Sequence, residues 1–155
     1  MTEEKTTPKP NTLFQIRWAE PLGKTECPYL KRWVLIFFGY SIRLHHWIRS
    51  DDKRFMHCHP WDFTTYVVKG KYYDVSSAKT KSGLEYHLVD TVKAGERRHR
   101  KAEHKHYVDV PLEGAWTILF CGRPKRKWGF WITATQFFRP LRYFSKYGHP
   151  PCSEQ

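Results

Sequence analysis

The residues best suited to chemistry are histidines set in pairs. In His57-Cys58-His59-Pro60-Trp61-Asp62-Phe63 two imidazoles stand two positions apart, and on a β-strand residues i and i+2 project from the same face. Two imidazole nitrogens offered from one face make half of a site for a divalent transition ion. The stretch Glu103-His104-Lys105-His106-Tyr107 repeats the spacing some 45 residues later, at the start of another β-like run. Two such pairs on separate strands can meet inside a barrel. A basic chain with nine histidines also produces this spacing by chance, so position in the fold must decide. Cys58 points the other way in a regular strand and is expected as a packed thiol, not a ligand.

A second group of candidates could hold a substrate. His45 and His46 follow Ser41-Ile42-Arg43-Leu44, and alternation places one of the two histidines inside a barrel without saying which. Arg43 or Arg49 could reach the mouth and grip a carboxylate or phosphate through the planar guanidinium fork. Arg54, Trp61, Arg98 and Arg100 are further candidate substrate contacts. Two basic runs, Arg97-Arg98-His99-Arg100-Lys101 and Arg123-Pro124-Lys125-Arg126-Lys127, adjoin aromatic residues. Such runs could track the phosphate backbone of a nucleic acid if the neighbouring rings are exposed. Trp116, Phe120, Trp128, Phe130 and Trp131, however, alternate in a way that suits a barrel core.

The elements that must carry these residues read as strands. Lys and Arg number 27 against 15 Asp and Glu, a net charge of +12, which favours an anionic partner. Aromatic residues make up 17% of the 155 residues, too many for a disordered chain. β-Branched and aromatic runs recur at intervals of about 8–12 residues, separated by Gly, Pro, Asp and Ser, the spacing of an all-β sandwich or barrel. The expected strands are 13–18, 32–38, 41–47, 63–69, 71–75, 85–92, 104–110, 115–121 and 128–133, with a further one over 136–143. Lys69-Gly70, Lys81-Ser82-Gly83, Lys93-Ala94-Gly95 and Pro111-Leu112-Glu113-Gly114 supply turns between them. The basic runs fall in loops or at strand ends. Residues 1–11 and 145–155 read as loose tails around one barrel domain over 12–144.

In this order the histidines resemble a known family. His57 to Gly70, HCHPWDFTTYVVKG, resembles the first motif of the cupins, and Val92 through Gly95 to His106 resembles the second. The run IRLHHWIRSDDKRFMHCHPWDF, then AEHKH, then WGFW at 128–131 is similar to small cupins from phage and bacterial genomes. The resemblance covers residues 32–143 and implies an antiparallel double-sheet jelly-roll barrel. It also implies His57, His59 and His106 as metal ligands. The glutamate usual after the second histidine is missing, since Phe63 and Thr64 stand there. Asp62 is the nearest acid, and Pro60 could introduce a bulge that turns it toward the metal. His104 is then a fourth ligand or a pocket acid/base, and His46 a second proton carrier.

Several classes are disfavoured. No apolar stretch approaches the roughly 18–20 residues of a membrane-spanning helix, and the polar N-terminus lacks the pattern of a secretory signal. A cytoplasmic protein is expected, with Cys27, Cys58, Cys121 and Cys152 as reduced thiols. No Gly-rich phosphate loop or GxSxG elbow occurs. The expectation is a barrel holding Fe(II), or Zn, Ni or Cu, and acting on a small anionic substrate as an oxygenase. An isomerase or lyase and a non-catalytic module binding a ligand or nucleic acid are the alternatives. Sheet edges make a homodimer plausible.

Overall fold

A computed structural model describes residues 12–152; the N-terminal tail expected over 1–11 lies outside them. Eleven strands run in chain order: β1 (Phe14–Lys24), β2 (Cys27–Phe37), β3 (Tyr40–Trp47), β4 (Met56–His57), β5 (Phe63–Lys79), β6 (Glu85–Lys93), β7 (Arg97–Arg100), β8 (His106–Asp109), β9 (Ala115–Cys121), β10 (Phe130–Trp131) and β11 (Phe137–Phe138). One helix, α1 (Pro140–Tyr147), follows. Every strand pair is antiparallel. The order β1-β2-β3-β9-β5 forms one sheet, which β7 joins on β5, and β6, β5, β8, β4, β10 and β11 form the other. The all-β jelly roll expected from the sequence is the fold observed.

The strand β5 belongs to both sheets. Lys69-Gly70, read as a turn, is instead a bend inside one 17-residue strand. Residues 63–67 pair with β9, the register slips between Val67 and Lys69, and residues 71–79 pair with β6. Gly70 takes φ +77°, and a Cβ there would stand 2.5 Å from the Gly114 carbonyl oxygen. Glycine therefore permits the bulge that carries the strand from one sheet to the other.

Alternation on β3 sends Ser41, Arg43, His45 and Trp47 inward and Ile42, Leu44 and His46 outward. The inner face of this strand is thus the more polar one. On β9 the inward residues are Ala115, Thr117, Leu119 and Cys121. Trp116 and Phe120, expected in the core, lie on the outer face, where Trp116 stacks on Trp33 and His46. Leu30, Trp47, Val67, Tyr72, Val92, Val108, Val110 and Ala115 form the main apolar cluster.

The C-terminal segment corrects two expectations. Residues 140–147 form a helix with Pro140 at its first turn and Gly148 at its end, not a strand or a tail. Tyr143 is fully buried, stacks on Phe130 at 3.8 Å and donates its hydroxyl to Asp52 at 2.6 Å. Beyond the helix, Cys152 is disulfide-bonded to Cys27, with Cα atoms 5.9 Å apart. A pair 125 residues apart leaves no spacing signal; only Cys58 and Cys121 are free thiols. No helix among the described residues is long and apolar enough to cross a membrane.

Candidate metal centre and its cavity

The short strand β4 ends at His57, which pairs in register with His106 at the start of β8. The chain then leaves the sheet, and His59 is fixed by its backbone N–H to the Ala102 carbonyl at 3.1 Å. Cys58 turns the other way, fully buried, with its N–H on the Gly129 carbonyl at 3.0 Å. These constraints bring His57, His59 and His106 together. Each offers a ring nitrogen, and the three nitrogens lie within 4.8 Å of one another.

The protonation of the group follows from its surroundings. Burial pushes His57 and His59 well below the ordinary imidazole value, and the neighbouring rings push the same way. Burial also lowers His106, against the pull of Asp74. Neutral imidazoles are the form that binds metal. His106 Nδ1 lies 2.9 Å from Asp74 Oδ2 and donates to it, which leaves its Nε2 lone pair facing His59 Nε2, also at 2.9 Å. A carboxylate behind a ligating histidine fixes the tautomer in this way. Three nitrogen donors converging at one point fit a divalent transition ion better than Mg or Ca.

Asp74 was not anticipated, although alternation from the inward Tyr72 points to it. Only 2% exposed, it accepts from His104 Nε2 at 2.8 Å, from His106, and from Arg100 Nε at 3.1 Å. Burial pushes its carboxyl up, but the hydrogen bonds from the two histidines outweigh that and hold it ionised, well below the usual carboxylate range.

The other sequence candidates separate into cavity and scaffold. A cavity of about 150 Å³ is lined by the three histidines together with Arg43, His45, Trp61, Thr65 and Leu119. Arg43 and Trp61 thus lie where a substrate contact belongs, with the guanidinium carbon 4.1 Å from the Trp61 ring centroid. His45, not His46, is the inward member of its pair; His46 stacks on Trp116 at 4.2 Å outside the barrel, which removes it as a proton carrier. His104 does not join the three-nitrogen group and instead bonds Asp74. Asp62 accepts from Ala102 N at 2.8 Å and Lys125 Nζ at 2.7 Å, so it clamps a loop and is not a ligand in the three-histidine group. Lys125 holds its carboxyl down at about 2.

Three arginines are scaffold. Arg54 binds Asp52 and the Tyr147 and Gly148 carbonyls, anchoring the end of α1. Arg98 binds Asp90, and Arg100 bridges Asp74 and Asp90. None of the three lines the cavity. Arg97–Arg100 of the first basic run form the strand β7, and within it Arg98 and Arg100 are paired with these carboxylates. In the second run Arg123 bonds the Phe38 carbonyl and Arg126 the Ala102 carbonyl.

No protein-family profile and no curated protein sequence matches this chain. Solved structures do. AerE from Microcystis aeruginosa superposes with a TM-score of 0.50 at 14% identity, over 73% of this chain and 48% of its own. An Fe(II) form of HppE with an alternative substrate gives 0.50 at 10% identity, over 74% and 58%. An RmlC-like cupin from Shewanella frigidimarina gives 0.48 at 16%, over 75% and 97%. The fold shared with AerE and HppE is this antiparallel double-sheet barrel. The chain spans about half the length of AerE and HppE. Within this barrel the three histidines make a candidate divalent-metal site at the cavity wall.

Proposed function

We propose that this cupin is a metal-dependent enzyme that holds one divalent transition ion through His57, His59 and His106 and acts on a small anionic substrate in the barrel, with oxygenase chemistry as its class. The observation that carries the reading is the convergence of three neutral imidazoles, His106 buried and His57 and His59 half-buried, on a cavity whose wall also holds Arg43. An ion with an open coordination position supplies a Lewis acid that can bind and polarise a substrate or dioxygen. The chain does the rest. Asp74 keeps the His106 proton on Nδ1 and its Nε2 free. Trp61, Phe63 and Leu119 pack as one apolar group at the cavity and exclude water from it.

HppE, which shares the fold, holds Fe(II), and iron is the ion favoured here, ahead of zinc, nickel and copper. The test is dioxygen uptake by Fe(II)-loaded protein against a panel of small organic acids and phosphorylated compounds. Uptake that requires one panel member and vanishes in His106→Ala supports the oxygenase. Firm retention of zinc or nickel with turnover and no uptake would move the assignment to an isomerase or lyase. A barrel that binds an acid without metal or turnover would make it a binding module.

A further inference from the structure

The buried part of the cavity wall carries a guanidinium that no carboxylate among the described residues neutralises. Arg32 and Arg43 are both buried, at 5% and 3% exposure. Arg32 has its counter-ion, since its Nε and Nη2 each lie 2.8 Å from Glu20 Oε2. Arg43 has none among the described residues: its Nε donates to Ser41 Oγ at 3.1 Å, its plane covers Trp61, and its Nη2 has no hydrogen-bond partner. The adjacent Cys121 does not compensate it, because burial pushes that thiol up and keeps it protonated. His45, two residues along the same face of β3, is 7% exposed, and neither ring nitrogen has a hydrogen-bond partner among the described residues. A buried guanidinium without a counter-ion and an imidazole with two empty bonding positions are both strongly unfavourable in a closed protein interior. Both line the cavity that the three histidines line.

We infer that Arg43 and His45 form a subsite for the carboxylate of a small monocarboxylic acid, whose apolar body lies along Trp61, Phe63 and Leu119 beside the three histidines. One guanidinium balances the single charge of a carboxylate, whereas a phosphate dianion would keep a second negative charge uncompensated in the buried subsite. Arg43 Nη2–H donates to one carboxylate oxygen and the His45 N–H to the other. His45 is neutral, held so by burial and by the charges of Arg32 and Arg43, and a neutral ring still has an N–H to donate. The inference rests on the proposed function in taking this cavity as the substrate's, but acid binding here requires no metal.

The test is titration of the full-length protein in EDTA with benzoate, acetate, benzamide and inorganic phosphate, read by tryptophan fluorescence, since Trp47 and Trp61 line the cavity. Benzoate is expected to bind at least tenfold more tightly than benzamide, its neutral isostere, and more tightly than phosphate. Arg43→Met is expected to weaken benzoate at least tenfold while melting no lower than the parent, because it removes an unpaired buried charge. Should Arg43→Met fail to fold, Arg43→Lys keeps the charge without the fork and is expected to lose most of the benzoate affinity. Equal binding of benzoate and benzamide, tighter binding of phosphate, unchanged benzoate affinity in the folded Arg43 variant, or no binding of either acid would overturn the subsite. Benzoate binding in a protein that never holds metal would fault the metal reading and leave this one standing. Stoichiometric metal with no acid binding would do the reverse.

Discussion

Replacing Asp74 by Asn tests how the metal centre is held. The carboxylate is 2% exposed and accepts from His104, His106 and Arg100. Asparagine keeps the shape but exchanges one acceptor for an NH2 donor, so either His104, at the Oδ1 position, or His106 and Arg100, at the Oδ2 position, loses its acceptor. Either way the negative charge that fixes the His106 proton on Nδ1 is gone, and the proton is free to move to Nε2, the nitrogen that faces His59. Breaking a buried ion pair by removing one partner costs about 3–5 kcal/mol when the other charge is left bare. Arg100 is not left bare, because its Nη2 also lies 2.5 Å from Asp90. The expected loss is therefore smaller, about 2–3 kcal/mol, equivalent to roughly 4–12 °C in melting temperature for a chain of this size. Loss of a carboxylate behind a ligating histidine weakens metal binding about 10–100-fold. Urea melts in EDTA read the first quantity and chelator competition with Zn(II) or Co(II) the second. A D74N protein that melts with the parent and competes for metal equally well would refute the reasoning.

Other perturbations read the scaffold. The Cys27–Cys152 disulfide closes a loop of 125 residues, so reductant or Cys152→Ser is expected to lower stability by about 2–4 kcal/mol, with reductant having no further effect on the Ser variant in thermal melts. Tyr143→Phe removes the 2.6 Å bond to Asp52 while keeping the ring stacked on Phe130, and is expected to cost about 1–3 kcal/mol by urea denaturation. The Asp62 carboxyl is held at about 2 by Lys125, below its unfolded value near ~3.9. A depressed acid stabilises the fold above the unfolded value and loses that contribution as pH falls toward the folded one. The stability gap between the parent and Asp62→Asn should therefore be full at neutral pH and close between about pH 4 and pH 2, as measured by denaturation at each pH; a constant gap would exclude the loop clamp.

What could be read in the chain divides by range of interaction. Period-two alternation and turn residues are local, so most strands and the spacing of His57 and His59 were visible. Facing was harder, because β3 inverts the usual rule and buries Arg43 and His45 while leaving Ile42 and Leu44 half-buried on the outer face. Adjacent histidines at 45 and 46 could not reveal that inversion by themselves. The same effect misplaced Trp116 and Phe120: their alternation suggested the core, but Thr117 and Leu119 fill the barrel side of β9. Gly70 was recognised as a special position and misread as a turn, since nothing local shows that Gly114 closes against it. The partners of Arg98 and Arg100, the clamp on Asp62 and the Cys27–Cys152 bond all depend on contacts distant in sequence or across strands, and charge runs look identical whether or not carboxylates meet them.

Elemental analysis of protein purified without a metal-affinity column, beside a His57→Ala, His59→Ala, His106→Ala triple variant, tests the central claim most directly. The account predicts close to one equivalent of a transition metal, iron first, in the parent and none in the variant, with both chains folded. A parent that carries no metal and takes none up on addition of Fe(II) or Zn(II), or a folded variant that keeps its metal, would contradict it.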